Sequence, residues 1–263
     1  MTDTQKRVAF VTGSTSGIGL GIVRKFASLG YDIIITGICE QSVIDEIQKE
    51  FKQNYKGECT YVSADFTNQD EIQAMCENII KKYPNGIDIL VNNAGFQHVA
   101  MVDEYPIKIW NDMIAVHLTA SFLLIRFFLP FMKKKGWGRI VNTSSQMGLI
   151  STPGKTPYSA AKAGLIGLAK GTALEAAPYG ITCNCICPGY VETELVIKQI
   201  KKMALDENKS FEDKRSEFFG SIHPTKKAVS IDQVAGLVSY LCSDEAGSTT
   251  GSSISIDGGY TAQ

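Results

Sequence analysis

Residues 7–37 read RVAFVTGSTSGIGLGIVRKFASLGYDIIITG. Two short apolar runs, RVAFVT and DIIITG, flank a stretch that reads as a helix from Gly17, so the segment is one strand–helix–strand unit. Gly13, Gly17 and Gly19 stand at the first strand-to-helix turn. Glycines there allow a tight bend and let backbone N–H groups at a helix N-terminus approach a pyrophosphate. Gly13-Ser14-Thr15-Ser16-Gly17-Ile18-Gly19 has three residues between its first two glycines, so it departs from the G-x-G-x-x-G dinucleotide fingerprint.

The same alternation runs outward to the end of the chain. After DIIITG come a helix near 41–54, the run CTYVSA, a helix near 68–82 and DILVNN. A long helix near 107–134, RIVNTSS, a helix from Tyr158, ITCNCI, a helix near 231–241 and SISI follow. Short strands apolar on both faces and separated by helices predict a parallel sheet covered on both sides. The expected fold class is α/β: a Rossmann-like, doubly wound parallel sheet of about seven strands in one domain over 1–263. The charged, mostly helical stretch at 190–226 intrudes after the sixth strand. An insertion there sits over the ligand crevice, so a lid is expected.

With 263 residues at 44% apolar, the chain can bury a sizeable core. A net charge of −1 argues against nucleic-acid or anionic-membrane partners, since either needs a concentrated basic field. Lys133-Lys134-Lys135 is expected instead to complement the negative end of the preceding helix. The segment 113–132 is apolar enough to raise a membrane question, but His117, Arg126 and Pro130 interrupt it. Such a helix is expected to be buried on two sides, against its own sheet and against a partner subunit. The opening MTDTQKRVAF passes from polar residues into a strand with no apolar targeting segment, which predicts a cytoplasmic protein. Cys183, Cys185 and Cys187 alternate along a predicted strand and lack zinc-knuckle spacing. The seven cysteines are expected to be reduced thiols, and no metal site is expected.

Tyr158 and Lys162, four apart in PYSAAKAG, share one face of a helix. A free phenol has a pKa of about 10, and a nearby cation favours phenolate and draws that value toward the working pH, as a general base needs. Such a pair by itself is usually two surface residues. Ser145, thirteen residues upstream of Tyr158, the tetrapeptide Asn92-Asn93-Ala94-Gly95 and the glycine turn set this one apart.

The order TGSTSGIG, NNAG, Ser145, YSAAK and Pro188-Gly189 resembles the short-chain dehydrogenase/reductase family across essentially the whole chain. The resemblance implies a nicotinamide cofactor held at Gly13, Thr15, Ser16, Gly17, Ile18 and Gly19. It further implies that Asp65 meets the adenine, that Asn93 and Gly95 flank the ribose, and that Pro188, Gly189, Val191 and Thr193 orient the carboxamide. By the same resemblance, Ser145 hydrogen-bonds the substrate oxygen, Tyr158 exchanges the proton, and Lys162 depresses the tyrosine pKa while holding the nicotinamide ribose. A homotetramer is implied as well.

The end of the second strand, Thr36-Gly37-Ile38-Cys39-Glu40, offers no Arg or Lys for a 2′-phosphate, and Ser16 replaces a basic residue frequent in NADP enzymes. The aspartate that usually grips a 2′-hydroxyl is missing too. NAD is the expected cofactor. One departure concerns the long helix, where the family carries Asn and this chain carries His117. His117 is expected to hold, near Lys162, the water that the Asn would fix, and to add a pH dependence around its own titration.

Within the family, GFQHVA at 95–100, Gly154-Lys155, CNCICPGY at 183–190, LVIKQI at 195–200 and the ending IDGGYTAQ resemble the D-3-hydroxybutyrate dehydrogenases. That resemblance implies interconversion of D-3-hydroxybutyrate, or a close 3-hydroxy acid, with acetoacetate. Lys155 would supply the charge for the carboxylate, and Gln97 and Gln199 the hydrogen bonds. Met147 stands where that group has His, and Tyr190 and Tyr260 where it has Trp. A roomier, more polar pocket with weaker substrate affinity is therefore expected. Two other readings stay open, another short-chain carbonyl or 3-oxoacyl reductase and a non-catalytic NAD-binding module on the same fold.

Overall fold

The structure is a computed structural model that describes residues 6–262. The polar opening at 1–5 and the final residue of the IDGGYTAQ ending lie outside the described residues. The strands are β1 (Val8–Val11), β2 (Asp32–Ile35), β3 (Cys59–Tyr61), β4 (Ile89–Asn92), β5 (Gly138–Thr143), β6 (Ile181–Pro188) and β7 (Ser253–Ile256). Around them run α1 (Gly17–Ser28), α2 (Gln41–Asn54), α3 (Gln69–Lys82), α4 (Ile107–Ile114), α5 (Ala120–Lys135), α6 (Thr156–Ala176), α7 (Glu194–Asp206), α8 (Phe211–Ile222) and α9 (Ile231–Leu241).

The strands form one seven-stranded sheet in the order β3-β2-β1-β4-β5-β6-β7, with every pair parallel. In β1, Val11 registers against Ile35 of β2 on one side and Val91 of β4 on the other. The winding reverses there, which opens a crevice beyond the carboxyl ends of β1 and β4.

Two cores lie on the two faces, because successive strand side chains point to opposite sides. Phe10, Ile34, Leu90 and Ile140 pack against Ile79, Leu124, Phe128 and Leu165 of α3, α5 and α6. Val11, Ile33, Ile35 and Val91 pack against Ile22, Phe26, Ile47 and Val238 of α1, α2 and α9. Each such side chain stabilises the fold by about 1.5–3 kcal/mol on burial. The near-continuous apolar runs of the sequence are these doubly covered strands.

Helix α6 starts at Thr156 rather than Tyr158, since Pro157 fits a first helical turn whose N–H groups lack intrahelical partners. The long apolar helix is not uniform. Between α4 and α5 the backbone widens into a π turn, Ala115–Thr119, with His117 at its centre. Wide turns of this kind are frequent at functional sites. Among the described residues this is the one helix whose length and composition would suffice to cross a membrane. Its Leu124, Phe128 and Met132 are buried against the sheet, while Phe122 is exposed. The basic triplet fills the last turn of α5, before the left-handed Gly136 at φ 69°. Strand β6 is buried throughout, Cys183, Cys185 and Cys187 included, and all seven cysteines are free thiols. The insertion after β6 folds as α7 and α8, and Arg215 of α8 forms a two-pronged ion pair with Glu192 at the foot of α7.

Candidate active site

Beyond Val11 the chain turns through Gly13 at φ 61° and Gly17 at φ 53°, left-handed conformations that favour glycine. A Cβ on Gly19 would lie 2.2 Å from the Gly13 carbonyl oxygen, and one on Gly13 would lie 2.8 Å from Ala94 Cα. The loop is drawn onto the end of β4 by Thr12 and Asn93. Thr12 Oγ1 accepts from the Asn93 and Ala94 N–H groups at 2.9 Å each. Asn93 Nδ2 donates to the carbonyls of Thr12 and Gly13 at 2.9 and 3.1 Å.

Ser16 caps α1 without a side-chain hydrogen bond, and no acidic residue stands in the first turn. The first-turn amides thus keep their donors and the positive end of the helix dipole unneutralised, which fits a pyrophosphate. Across the crevice, the methyl of Thr193, the N-cap of α7, sits 3.6 Å from where a Gly17 Cβ would be. Val191 is pinned by a parallel bridge to Val229, and the Gly189 N–H donates to the Ile256 carbonyl at 3.0 Å.

Just beyond β2, Gly37 has no room for a side chain, because a Cβ there would strike Thr15 Oγ1 at 2.2 Å. Tyr61 donates its hydroxyl to the Gly37 carbonyl at 2.9 Å, and Ile38 is 97% exposed. Asp65 Oδ1 accepts from the N–H and hydroxyl of Thr67, both at 2.8 Å, and these bonds hold the carboxyl below its usual range. The Asp65 carboxylate is therefore anchored in the turn that starts α3.

Tyr158 and Lys162 share one face of α6, with Lys162 Nζ 5.5 Å from the Tyr158 ring centroid. Lys162 is 3% exposed and donates to the Thr143 carbonyl at 2.6 Å. Burial pushes the pKa of this ammonium down, and the Tyr158 charge opposes that. Ser145 caps the short 3-10 turn Gln146–Gly148, accepting from the Met147 N–H at 3.1 Å, which leaves its own hydroxyl proton available. Ser144 Oγ donates to the Lys162 carbonyl at 2.8 Å and ties this turn to α6. A hydroxyl donor, a phenol and a buried cation are thus held on two rigid elements, the turn after β5 and α6, a set suited to proton exchange at an alcohol or carbonyl oxygen.

His117 departs from the expectation placed on it. Its Nε2 takes the Phe96 N–H at 3.1 Å and lies 2.9 Å from the Phe96 carbonyl, while its buried Nδ1 has no partner. Burial, followed by the charge of Lys162, pushes the imidazole down to about 3. The ring is therefore neutral around physiological pH, and the expected extra titration there is corrected. The charge of Lys162 reaches the imidazole, and among the described residues its buried Nδ1 has no hydrogen-bond partner.

At the N-cap of α6, Lys155 Nζ donates to Gln97 Oε1 at 3.0 Å and lies 5.7 Å from the Tyr190 ring centroid. Burial raises the Tyr190 pKa, and the charges of Tyr260 and Tyr158 raise it further. Met147 is buried, with its sulfur accepting from Thr152 Oγ1 at 3.8 Å. Gln199 lies exposed on α7 and, among the described residues, forms no hydrogen bond with the Lys155–Gln97 pair. The segment after Ser145 coils rather than staying extended, and Gln146 is turned toward Gly189 and His223, away from Met147.

Sequence reasoning missed Thr12, the Thr143 carbonyl and His223. The first two act through the backbone geometry they share with neighbours, which residue types do not reveal. His223 had a signal, being one of only three histidines in the chain. Among the described residues no three His, Cys, Asp or Glu side chains gather to hold a metal. A wide cleft of ≈ 1160 Å³ lined by Arg7, Tyr31, Phe131 and Trp137 opens at the opposite, amino end of the strands and touches none of these residues.

Comparison with known proteins gives the chain a family. The chain matches the short chain dehydrogenase family over residues 7–204. It is 44% identical to a D-beta-hydroxybutyrate dehydrogenase of Rhizobium meliloti over 98% of this chain and 99% of that protein. It is 41% identical to the D-beta-hydroxybutyrate dehydrogenase of Cupriavidus necator over 98% of each. The structure superposes on that of L-sorbose reductase from Gluconobacter frateurii, solved with NADPH and L-sorbose, with a TM-score of 0.93 at 28% identity, covering 98% of this chain and 97% of that one.

Proposed function

The chain belongs to the short-chain dehydrogenase family, and from that premise we propose that it is an NAD-dependent dehydrogenase interconverting D-3-hydroxybutyrate, or a close 3-hydroxy acid, with acetoacetate. The observation that carries this reading is the Lys155–Gln97 pair, a cation and an amide joined at 3.0 Å beside Tyr190. An ammonium on the wall of a pocket that also holds Tyr158 suits a substrate with an anionic end and an alcohol a few bonds away. Kinship with two hydroxybutyrate dehydrogenases supports the same substrate class.

In the oxidative direction the phenolate of Tyr158 takes the hydroxyl proton of carbon 3, and Ser145 donates a hydrogen bond to the same oxygen. Lys162 stabilises the phenolate from within 5.5 Å of its ring and fixes its own position through the Thr143 carbonyl. When bound, the nicotinamide cofactor accepts the hydride leaving carbon 3. The loop Gly13–Gly19, Asn93, Thr193 and the amides of α1 would hold it. The lack of any Lys or Arg at Ser16 or along Thr36–Glu40 favours NAD over NADP.

Met147 gives the carboxylate no hydrogen bond of the kind a histidine would, and the phenols of Tyr190 and Tyr260 leave more room than indoles. Substrate binding is accordingly weaker by about 1–3 kcal/mol than in a pocket with that contact. The same reading takes 1–263 as one domain, α7 and α8 as a lid that closes on the acid, and the protein as a cytoplasmic homotetramer. The exposed Phe122 of α5 and Leu174 of α6 offer a face for assembly. Steady-state assays of both enantiomers of 3-hydroxybutyrate with NAD test the proposal: turnover of the D form is expected. NAD binding without turnover of any 3-hydroxy acid would overturn it.

A further inference from the structure

His223 follows the last residue of α8, is 1% exposed, and joins three segments. Its Nδ1 lies 2.7 Å from the Lys227 carbonyl, and its Nε2 accepts the Tyr190 N–H at 3.3 Å. A carbonyl only accepts, so the ring proton sits on Nδ1 and Nε2 remains the acceptor that the Tyr190 amide needs. The neutral imidazole therefore has both nitrogens in use.

The surroundings leave this ring little freedom. It stacks on Phe219 with centroids 6.0 Å apart, and the Tyr190 ring stands edge-on to Phe218 at 5.6 Å. A side chain on Gly189 would place its Cβ 2.9 Å from both His223 Nε2 and Gln146 Oε1. Just downstream, the Thr225 N–H donates to the Gly258 carbonyl at 3.1 Å, and the Val229 N–H donates to the Tyr190 carbonyl at 3.4 Å. The backbone of Tyr190 is thus held on its N–H side by His223 and on its carbonyl side by Val229. The Tyr190 ring in turn lies 5.7 Å from Lys155 Nζ, the cation read above as the carboxylate's partner.

We propose that His223 is a positioning residue for the substrate. It couples the carboxyl end of α8 to the main chain of Tyr190, so that the lid and the pocket wall hold one arrangement, and it touches neither the reacting atoms nor the cofactor. The inference rests on reading Tyr190 as a wall of the acid pocket. Loss of the imidazole loosens that wall and leaves the proton-exchange set on α6 intact. Binding of the acid weakens and the chemical step does not.

The test combines amide hydrogen exchange with kinetics on wild type, His223→Leu and His223→Gln. In His223→Leu the Tyr190 amide is expected to exchange about tenfold faster while amides of β5 and α6 are unchanged. KM for D-3-hydroxybutyrate is expected to rise roughly tenfold with kcat within about threefold and the Kd for NAD unaltered. His223→Gln, which can donate at one end and accept at the other, is expected to recover most of both effects. If His223→Leu does not fold, His223→Asn, too short to span Lys227 and Tyr190, reads the same quantities. Unchanged exchange at Tyr190, or a fall in kcat at constant KM, would overturn the proposal. Absence of turnover in wild type would instead remove the functional reading, and the exchange data would still decide the His223–Tyr190 link.

Discussion

The imidazole of His117 stands edge-on to the phenol ring of Tyr158, with centroids 5.6 Å apart and planes at 89°. An edge-to-face pair of this kind contributes about 0.5–1.5 kcal/mol beyond its buried area. Because Nε2 is fastened to the main chain of Phe96, the pair ties the rotation of Tyr158 to the strand-end loop that follows β4. His117 acts here as a neutral wall and not as a titrating group.

That has a measurable consequence for acid stability. An imidazole held at about 3 in the folded chain ionises near its ordinary 6.5 once unfolded. Between those pH values the unfolded chain binds the extra proton, so stability falls as pH drops through this window. Replacing His117 with Asn removes the penalty. Denaturant titrations of wild type and His117→Asn should therefore converge by about 2–4 kcal/mol in favour of the variant between pH 6.5 and 4. Their activity profiles above pH 6.5 should share the same inflections. An inflection near 6.5 present only in wild type would contradict the neutral wall.

Gly95 bears on the same ring. A Cβ there would lie 2.1 Å from His117 Cε1, too close for any relaxed contact. Gly95→Ala should destabilise the protein by about 1–3 kcal/mol and lower kcat, since the displaced ring also disturbs Tyr158. The double variant Gly95→Ala/His117→Asn should recover more than half of the stability loss, a coupling read directly by thermal unfolding of the four forms. Additive losses would mean that the clash lies elsewhere.

Tyr158→Phe keeps the ring that packs on His117 and deletes only the hydroxyl. It should lower kcat by about 10²–10⁴ with the Kd for NAD within about twofold, measured by stopped turnover and by cofactor fluorescence. A variant that keeps most of its activity would take Tyr158 out of the chemistry.

Cofactor choice can be moved at Ile38, whose exposed side chain leaves Gly37 and its Tyr61 bond undisturbed. Ile38→Arg supplies a guanidinium for a 2′-phosphate and should raise kcat/KM with NADP about tenfold, with a small loss for NAD. Wild-type enzyme that already prefers NADP would show that the missing cation is not what sets the choice.

Much of this fold could be read in advance, for a physical reason. Strands such as DIII and ILVN are buried on both faces, so their apolar runs are unbroken and their helices carry plain amphipathic spacing. The Tyr158–Lys162 face is visible because helical periodicity alone sets it. The state of His117 was not legible. Its pKa follows from full burial beside Lys162 and from a π turn, neither of which residue spacing encodes. His223 escaped notice because its partners, Tyr190 and Lys227, meet it through main-chain atoms. Whether Gln199 reaches the Lys155–Gln97 pair depends on how α7 sits, which no local pattern fixes.

The central claim is that Lys155 holds the carboxylate of a 3-hydroxy acid. The most direct measurement is kcat/KM for D-3-hydroxybutyrate against its methyl ester, on wild type and on Lys155→Ala. Wild type should favour the free acid by at least about tenfold, the value of one charge-assisted hydrogen bond of about 1.5–3 kcal/mol. Lys155→Ala should lose most of that preference through the acid, leaving the ester rate nearly unchanged. Equal rates for acid and ester in wild type, or a preference that survives Lys155→Ala, would contradict it.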